Sequence, residues 1–406
     1  MPLSHDELKT ALRLACDWLV DVAQVATREL TVEKNSMRHP YSDWRGAIRG
    51  EYSAATRQWD FFCPVWHTGQ AVKALLGAAQ SLNEPRYRQA ADAGAAFILD
   101  KQVWDTTSPD HGLILAFEDS AEFVNTSAVL ECMDGLLRLA DANRAPDVQQ
   151  RLVRAGEFLI EKLYMPDAGL FHDAYHPGRH AVVLPNPFRT RENVGGRPLL
   201  DDSIFLKLYR QTGETRFRDV QVRVSETLVQ TQRPRGNWVD YAPCNPDRMR
   251  FHPRHTYWWG LPLLDTYRET GRGEFLETAV AAGEFTLRAL RSDGGYFREV
   301  SVEPDGTVNT ASFGHATSGA ACGALLFLAL HRETGDARWL EGAERALSFC
   351  LSMQMRTPQD PNLKGVIIEK VLPPRGTDAS PYHVRDLGTI FFIQAAVAYL
   401  GTPGRR

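Results

Sequence analysis

The chain has no CxxC pair; its six cysteines, at 16, 63, 132, 244, 322 and 350, are scattered over 406 residues. That spacing excludes a zinc-ribbon or thioredoxin-type site and suits reduced thiols in a cytoplasm, so a cytoplasmic protein is expected. Lys/Arg blocks are also missing and the formal net charge is −4, which argues against affinity built on neutralising nucleic-acid phosphates. No apolar run approaches the roughly eighteen uncharged residues of a membrane-spanning helix. The opening stretch MPLSHDELKTALRLACDWLVDVAQ carries acids within its apolar part and lacks the basic start and small-residue cleavage site of a signal peptide. A phosphate-binding GxxxxGK[ST], a GxGxxG after a strand, a GxSxG elbow and an HExxH pair are absent as well, so nucleotide, serine-hydrolase and zincin readings have no support.

What is present is a repeat. LYRQTGETRF, TYRETGRGEFL and LHRETGDARWL place near-identical joints around glycines 213, 271 and 335. Each follows one helix-period apolar run and precedes another. CGALLFLAL before Gly335 is apolar on nearly all sides, whereas WLEGAERALSFCL after it is amphipathic; the first helix of each pair is therefore inner and the second outer. HTGQAVKALLGAAQSL with YRQAADAGAAFIL, and VNTSAVLECMDGLLRLADA with DVQQRLVRAGEFLIEKL, repeat the pattern and bring the count to five hairpins. LGTIFFIQAAVAYL lacks a following partner and ELKTALRLACDWLVDVAQ a preceding one. Pairing these two closes a double ring of six hairpins spanning 1–406 as one all-α (α/α)6 domain; an open helical solenoid is the alternative. GLILAF, GLFHDA, GNWVDY, GGYFRE and GVIIEK, at glycines 112, 169, 236, 294 and 365, add a short extended segment after each outer helix. Short inner-to-outer joints and long outer-to-inner connections put all long loops on the face where inner helices begin.

The entrances to the inner helices are rich in tryptophan, tyrosine, histidine and arginine, a lining suited to sugars. Trp59, Trp66, His67, Arg254, His255, Tyr257, Trp258, His315 and Arg385 are candidate substrate contacts. Arg254 and Arg385 could take a carboxylate bidentately, with surface salt bridging as the alternative. Asp201 and Asp202 stand directly before an apolar inner helix; they read either as a helix cap or as a catalytic carboxyl aimed into the cavity. Glu118, Asp119 and Glu122 lie one hairpin earlier, as a second carboxyl source or a solvated loop. Two carboxyls across a glycosidic bond would divide into a protonated acid and an ionised base. His172, His176 and His180 recur every four residues, but Pro177 and Gly178 break a helix there; the stretch reads as strand and loop, without a metal. No cofactor is expected.

On these residues the chain resembles the six-hairpin (α/α)6 glycosidases, nearest to the unsaturated uronyl hydrolases. The resemblance rests on the hairpin repeat, on LLDDSIFLKLYRQTG and on YWWGLPLLDTYRETG. It implies addition of water across the enol-ether double bond of a 4,5-unsaturated uronic acid in an oligosaccharide. It also implies a catalytic aspartate at Asp202 or Asp201, with Asp119 as its partner from the preceding hairpin. The family's Arg-Gly-Gln element is replaced here by Thr256, Tyr257 and Trp258. Three other functions share the architecture: an epimerase of the N-acylglucosamine 2-epimerase type, moving a proton with His67, His255 or His315; a uronate lyase using Tyr257 with His255; and a non-catalytic sugar-binding ring.

Overall fold

A computed structural model describes residues 3–118, 120–187, 195–296, 300–303, 307–309, 316–369 and 383–402. Twelve α-helices lie among these residues, in chain order α1 (His5–Trp18), α2 (Pro64–Leu82), α3 (Pro85–Asp100), α4 (Thr126–Asn143), α5 (Pro146–Lys162), α6 (Ile204–Thr212), α7 (Thr215–Thr231), α8 (His255–Thr270), α9 (Gly273–Ala289), α10 (Thr317–Thr334), α11 (Ala337–Ser352) and α12 (Leu387–Leu400). The even-numbered helices form an inner ring in the order α2, α4, α6, α8, α10, α12 and back to α2, and each carries an odd-numbered partner outside it. α1 packs on α12, with His5 edge-on to Tyr399 at 5.9 Å. α12 is uncharged and buries eleven of its fourteen residues, as an inner helix walled on all sides must.

The joints follow simple backbone chemistry. Gly213, Gly271 and Gly335 adopt φ of 74°, 70° and 70°, and their N–H groups close the preceding helices at 2.7, 2.7 and 2.8 Å. These are the left-handed C-caps that glycine adopts at least cost. The other two joints use the same conformation without glycine, at Asn83 and Arg144, which is why the first two hairpins lack the TG signature. Proline opens α2, α3 and α5, where a missing N–H costs nothing.

All long connections leave the face where inner helices begin. They carry short antiparallel strands, among them 51–53 between 58–60 and 383–385, 174–176 between 124–125 and 181–182, and 300–302 between 250–251 and 308–309. The segment around His176 is accordingly strand and turn.

The second glycine repeat does more than start a strand. In each of the five predicted segments the glycine has positive φ and lies against the next outer helix, so that a Cβ at Gly112, Gly236 or Gly294 would fall 2.7 Å or less from a carbonyl of α5, α9 or α11. At Gly365 it would meet Leu14 O of α1 at 2.2 Å, and a sixth copy not recognised in the sequence, Gly46, would meet Ala93 O of α3 at 2.1 Å. Glutamines reinforce the contact: Gln354 Nε2 donates to Gly365 O at 3.3 Å and to Ala11 O at 2.8 Å, and Gln24 and Gln102 bridge equivalently. The last outer helix is thereby bound to the first.

This contact predicts a ranking. Gly365→Ala should lower the unfolding free energy by roughly 3 kcal/mol or more, because strained φ and a backbone collision coincide. Gly213→Ala has nothing within 4 Å and should cost only about 1 kcal/mol for the left-handed backbone. Urea melts of the two variants check this.

Candidate functional site in the lumen of the ring

The inner ring encloses two cavities placed back to back. The loop-face cavity has a volume of about 330 Å³ and is lined by Phe62, Trp66, Trp258 and Trp259, by Arg197, Arg254 and Arg385, by Glu118 and Glu369, and by His252. The joint-face cavity, of about 370 Å³, lies towards the C-terminal ends of the inner helices. Glu131, Asp201 and Trp258 line both and form the layer between them.

Asp201 and Asp202 diverge because of the backbone between them and α6. Asp202 and Ser203 both take φ of 54°, a left-handed step that turns adjacent side chains to different surroundings. Neither aspartate caps α6, so the capping reading fails. Asp202 pairs with Lys73 and accepts from Gln70 Nε2 at 3.0 Å; it lines only the joint-face cavity. Asp201 is buried, its Oδ2 is enclosed without a hydrogen-bond partner, and burial pushes its pKa up to about 7 against the pull of Arg197. Glu131 lies in the second turn of α4. Its carboxyl makes no ion pair among the described residues, and burial followed by repulsion from Asp201 and Glu118 holds its pKa well above the usual carboxylate range. Its height in the ring is set by close packing of α2 on α4, where a Cβ on Gly69 would lie 2.4 Å from Cys132 Cα. Gln70 Nε2 also donates to Glu131 O at 2.7 Å.

Three arginines reach the loop-face cavity, and two are committed to carboxylates. Arg385 Nε donates to Glu51 Oε1 at 2.9 Å with its guanidinium 4.0 Å above Phe62. Arg197 pairs with Asp173. Arg254 is different: it has no carboxylate within ion-pair distance among the described residues, and its Nε is enclosed without a partner. Trp258, Trp66 and Phe391 surround its guanidinium carbon at 5.3, 5.6 and 5.9 Å. Nη1 donates to Ser318 Oγ at 3.1 Å, and Ser318 donates through Oγ and N to Glu369 at 2.5 and 2.7 Å. The indole Nε1 atoms of Trp66 and Trp258 are likewise enclosed and unpartnered. A buried polar group left without a protein partner is costly unless something else meets it.

The remaining expectations are corrected by position. His67 is fully buried with Nδ1 2.6 Å from Asp386 Oδ1, and it ties α2 to the start of α12 instead of facing a cavity. His255 is also fully buried, with Nδ1 3.0 Å from Cys244 Sγ; burial lowers its pKa to about 3, so the ring is neutral. Trp59 packs on Tyr52 at 4.6 Å and lines neither cavity. Tyr257 faces only the joint-face cavity, so it and His255 do not form a lyase pair. Glu122 is exposed, while Glu118 accepts from Asn125 at the cavity wall. Asp119 and His315 lie outside the described residues. Glu131, Arg197, His252 and Glu369 were not recognised in the sequence. An acid inside the apolar run TSAVLECMDGLL was the available signal for Glu131. Among the described residues no group of three or more His, Cys, Asp or Glu could hold a metal ion, and no helix is long and apolar enough to cross a membrane.

No family model and no curated protein matches this sequence. Solved structures do match it in three dimensions. A D-mannose isomerase superposes with a TM-score of 0.67 at 11% identity, covering 98% of this chain and 97% of its own. The chain has the six-hairpin (α/α)6 fold. An unsaturated glucuronyl hydrolase from a Bacillus species, responsible for the degradation of glycosaminoglycan, gives 0.62 at 15% identity over 99% and 100% of the two chains. A cellobiose 2-epimerase from Spirochaeta thermophila gives 0.67 at 14% over 97% of each. The (α/α)6 ring is thus shared by proteins whose named chemistries differ.

The raised Asp201 pKa has a stability consequence. Between the unfolded value near 4 and the folded value of about 7 the native state binds more protons than the unfolded state, so this carboxyl costs stability as pH rises through that window. Asp201→Asn should therefore raise Tm relative to the parent by about 2 °C or more at pH 8, with the gain vanishing by pH 4. Thermal melts across pH give the difference directly.

Proposed function

We propose that the chain is a carbohydrate-active enzyme, a glycoside hydrolase whose substrate carries a uronic acid, 4,5-unsaturated at its non-reducing end. The observation that carries this reading is Arg254, a guanidinium caged by aromatic rings with no carboxylate at ion-pair distance among the described residues, in the same cavity as Glu131, Asp201 and Glu369, whose pKa values burial raises. The substrate carboxylate completes Arg254 as a charge-assisted pair. Sugar CH faces lie on Trp66 and Trp258, whose unpartnered indole N–H groups donate to hydroxyls.

The two carboxyls divide the work by environment. Glu131, held protonated, donates a proton to C4 of the enol ether. Asp201, which burial raises to about 7 against the opposing charge of Arg197, acts in its ionised form as the carboxylate that takes a proton from water as its oxygen bonds to C5. The double bond is consumed, one water is added, and the resulting hemiketal opens with release of the aglycone. Of the two aspartates expected from the sequence, Asp201 is the one kept here, because Asp202 is neutralised by Lys73; Glu131 takes the place of the expected partner Asp119, which lies outside the described residues. The six buried free thiols support a reducing, cytoplasmic setting.

A second reading, sugar epimerisation or isomerisation, is favoured by one observation. His252 lines the cavity with its ring stacked on Trp258 at 4.9 Å, where an imidazole could move a proton beside a carbonyl. Incubation with lyase-digested uronate oligosaccharides separates the readings: a hydrolase removes the enol-ether absorbance, an epimerase leaves it and exchanges a substrate C–H with deuterium, and a sugar-binding ring does neither. Glu131→Gln and Asp201→Asn should each lower kcat by about 10²–10⁴-fold, and Arg254→Lys should act mainly on KM. Full turnover in both carboxyl variants would overturn the assignment.

A further inference from the structure

The joint-face cavity plays no part in the chemistry above, yet it is built from all six inner helices and is no smaller than its neighbour. Its inner end carries polar groups that the protein leaves without a partner among the described residues. Gln394 Nε2 is fixed by Gln70 O and Gln70 Oε1 at 3.2 and 3.0 Å, while Gln394 Oε1 is enclosed without a donor; the residue is 7% exposed. The Tyr257 hydroxyl has no hydrogen-bond partner among the described residues, and burial holds it protonated. Leu261, Leu328 and Val397 line the same cavity, as do the ion-paired Asp202 and Asp265. Towards the outer end one carboxylate, Asp134, is shared by three cations: Lys73 at 3.2 Å, Arg138 at 3.0 Å, and Lys207. Arg332 lines the same cavity without a carboxylate partner among the described residues.

Cations near the C-terminal ends of helices are partly explained by the helix dipoles. That explanation accounts for neither the volume nor the unpartnered acceptor and hydroxyl inside it, since buried polar atoms are normally satisfied. A cavity of monosaccharide size, lined in part by apolar side chains, with an unpartnered acceptor and an unpartnered hydroxyl in its wall and cations towards the helix ends, has the complement of a hydroxylated ring bearing an anionic group.

We infer that the joint-face cavity is a second ligand site, for a small anionic monosaccharide, a sugar acid or a sugar phosphate, entering from the face opposite the loops. The ring or chain hydroxyls meet Gln394 Oε1 and Tyr257 Oη, and the anion meets Arg138, Lys207 and Arg332. Because Glu131, Asp201 and Trp258 wall both cavities, occupancy here is felt at the loop-face site through three shared side chains. The assignment holds whether or not the loop-face site is a hydrolase.

Calorimetric titration of the full chain carrying Arg254→Met, which removes the loop-face anchor, tests it with D-glucuronate and D-glucose 6-phosphate as separate probes. At least one probe should bind this variant, and the stronger of the two identifies the anion as carboxylate or phosphate. Adding Leu328→Trp, which fills the cavity, or Gln394→Leu, which removes the acceptor with little change in volume, should weaken binding by about tenfold or more. Should Leu328→Trp fail to fold, Gln394→Leu decides alone. No binding of either probe at about 10 mM, or binding undiminished by Gln394→Leu, overturns the second site. Turnover by the parent on uronate oligosaccharides is read separately, so failure of the hydrolase reading leaves a distinct signature.

Discussion

Everything in this ring depends on a backbone contact repeated around its outside: a left-handed glycine just after an outer helix, pressed on a carbonyl of the next outer helix. At Gly46, Gly236, Gly294 and Gly365 the nearest atom is a backbone carbonyl oxygen, with no side chain to adjust, so the geometry transmits almost without slack. Its last instance, Gly365 on Leu14, brings α11 to α1 and closes the circle. His67 and Asp386 make the matching closure inside, between α2 and the start of α12. Closure fixes the height of each inner helix, and hence which side chains reach the middle of the lumen.

At that height the charges are arranged unequally. On the joint side Asp134 and Asp202 are saturated by lysine and arginine. On the loop side Glu131 and Asp201 lack such partners and are driven towards their neutral forms. Two neighbours in sequence thus receive opposite fates from a single left-handed step at Asp202 and Ser203. The same asymmetry leaves Arg254 as the one arginine of three in the loop-face cavity without a carboxylate at ion-pair distance among the described residues.

The fold was legible because its signals are local. Gly213, Gly271 and Gly335 mark helix ends by backbone chemistry alone, and the contrast between CGALLFLAL and the amphipathic WLEGAERALSFCL separates inner from outer. The site was legible only as far as its address. Reading the entrances of the inner helices located Arg254, Trp66, Trp258 and Arg385 in the cavity wall, but an entrance position does not say which way a side chain turns. His67 and His255 sit at entrances and point into packed walls. Glu131 was missed for the converse reason: it lies a turn and a half inside α4, where the register between α2 and α4 brings it to the lumen. That register is set by Gly69 against Cys132, a contact between residues 63 positions apart that no local pattern displays.

The loop glycines and their bridging glutamines also define where one lineage could diverge from another. Each long connection is clamped to the ring at its first few residues and rejoins it at the following inner helix. Whatever lies between those anchors is free to be lengthened, shortened or exchanged without disturbing the circle. The ring is in this sense a chassis with six sockets, and five of them can change without touching either lumen carboxyl: Glu131 is carried on α4, and Asp201 stands at the end of its own connection, directly before α6.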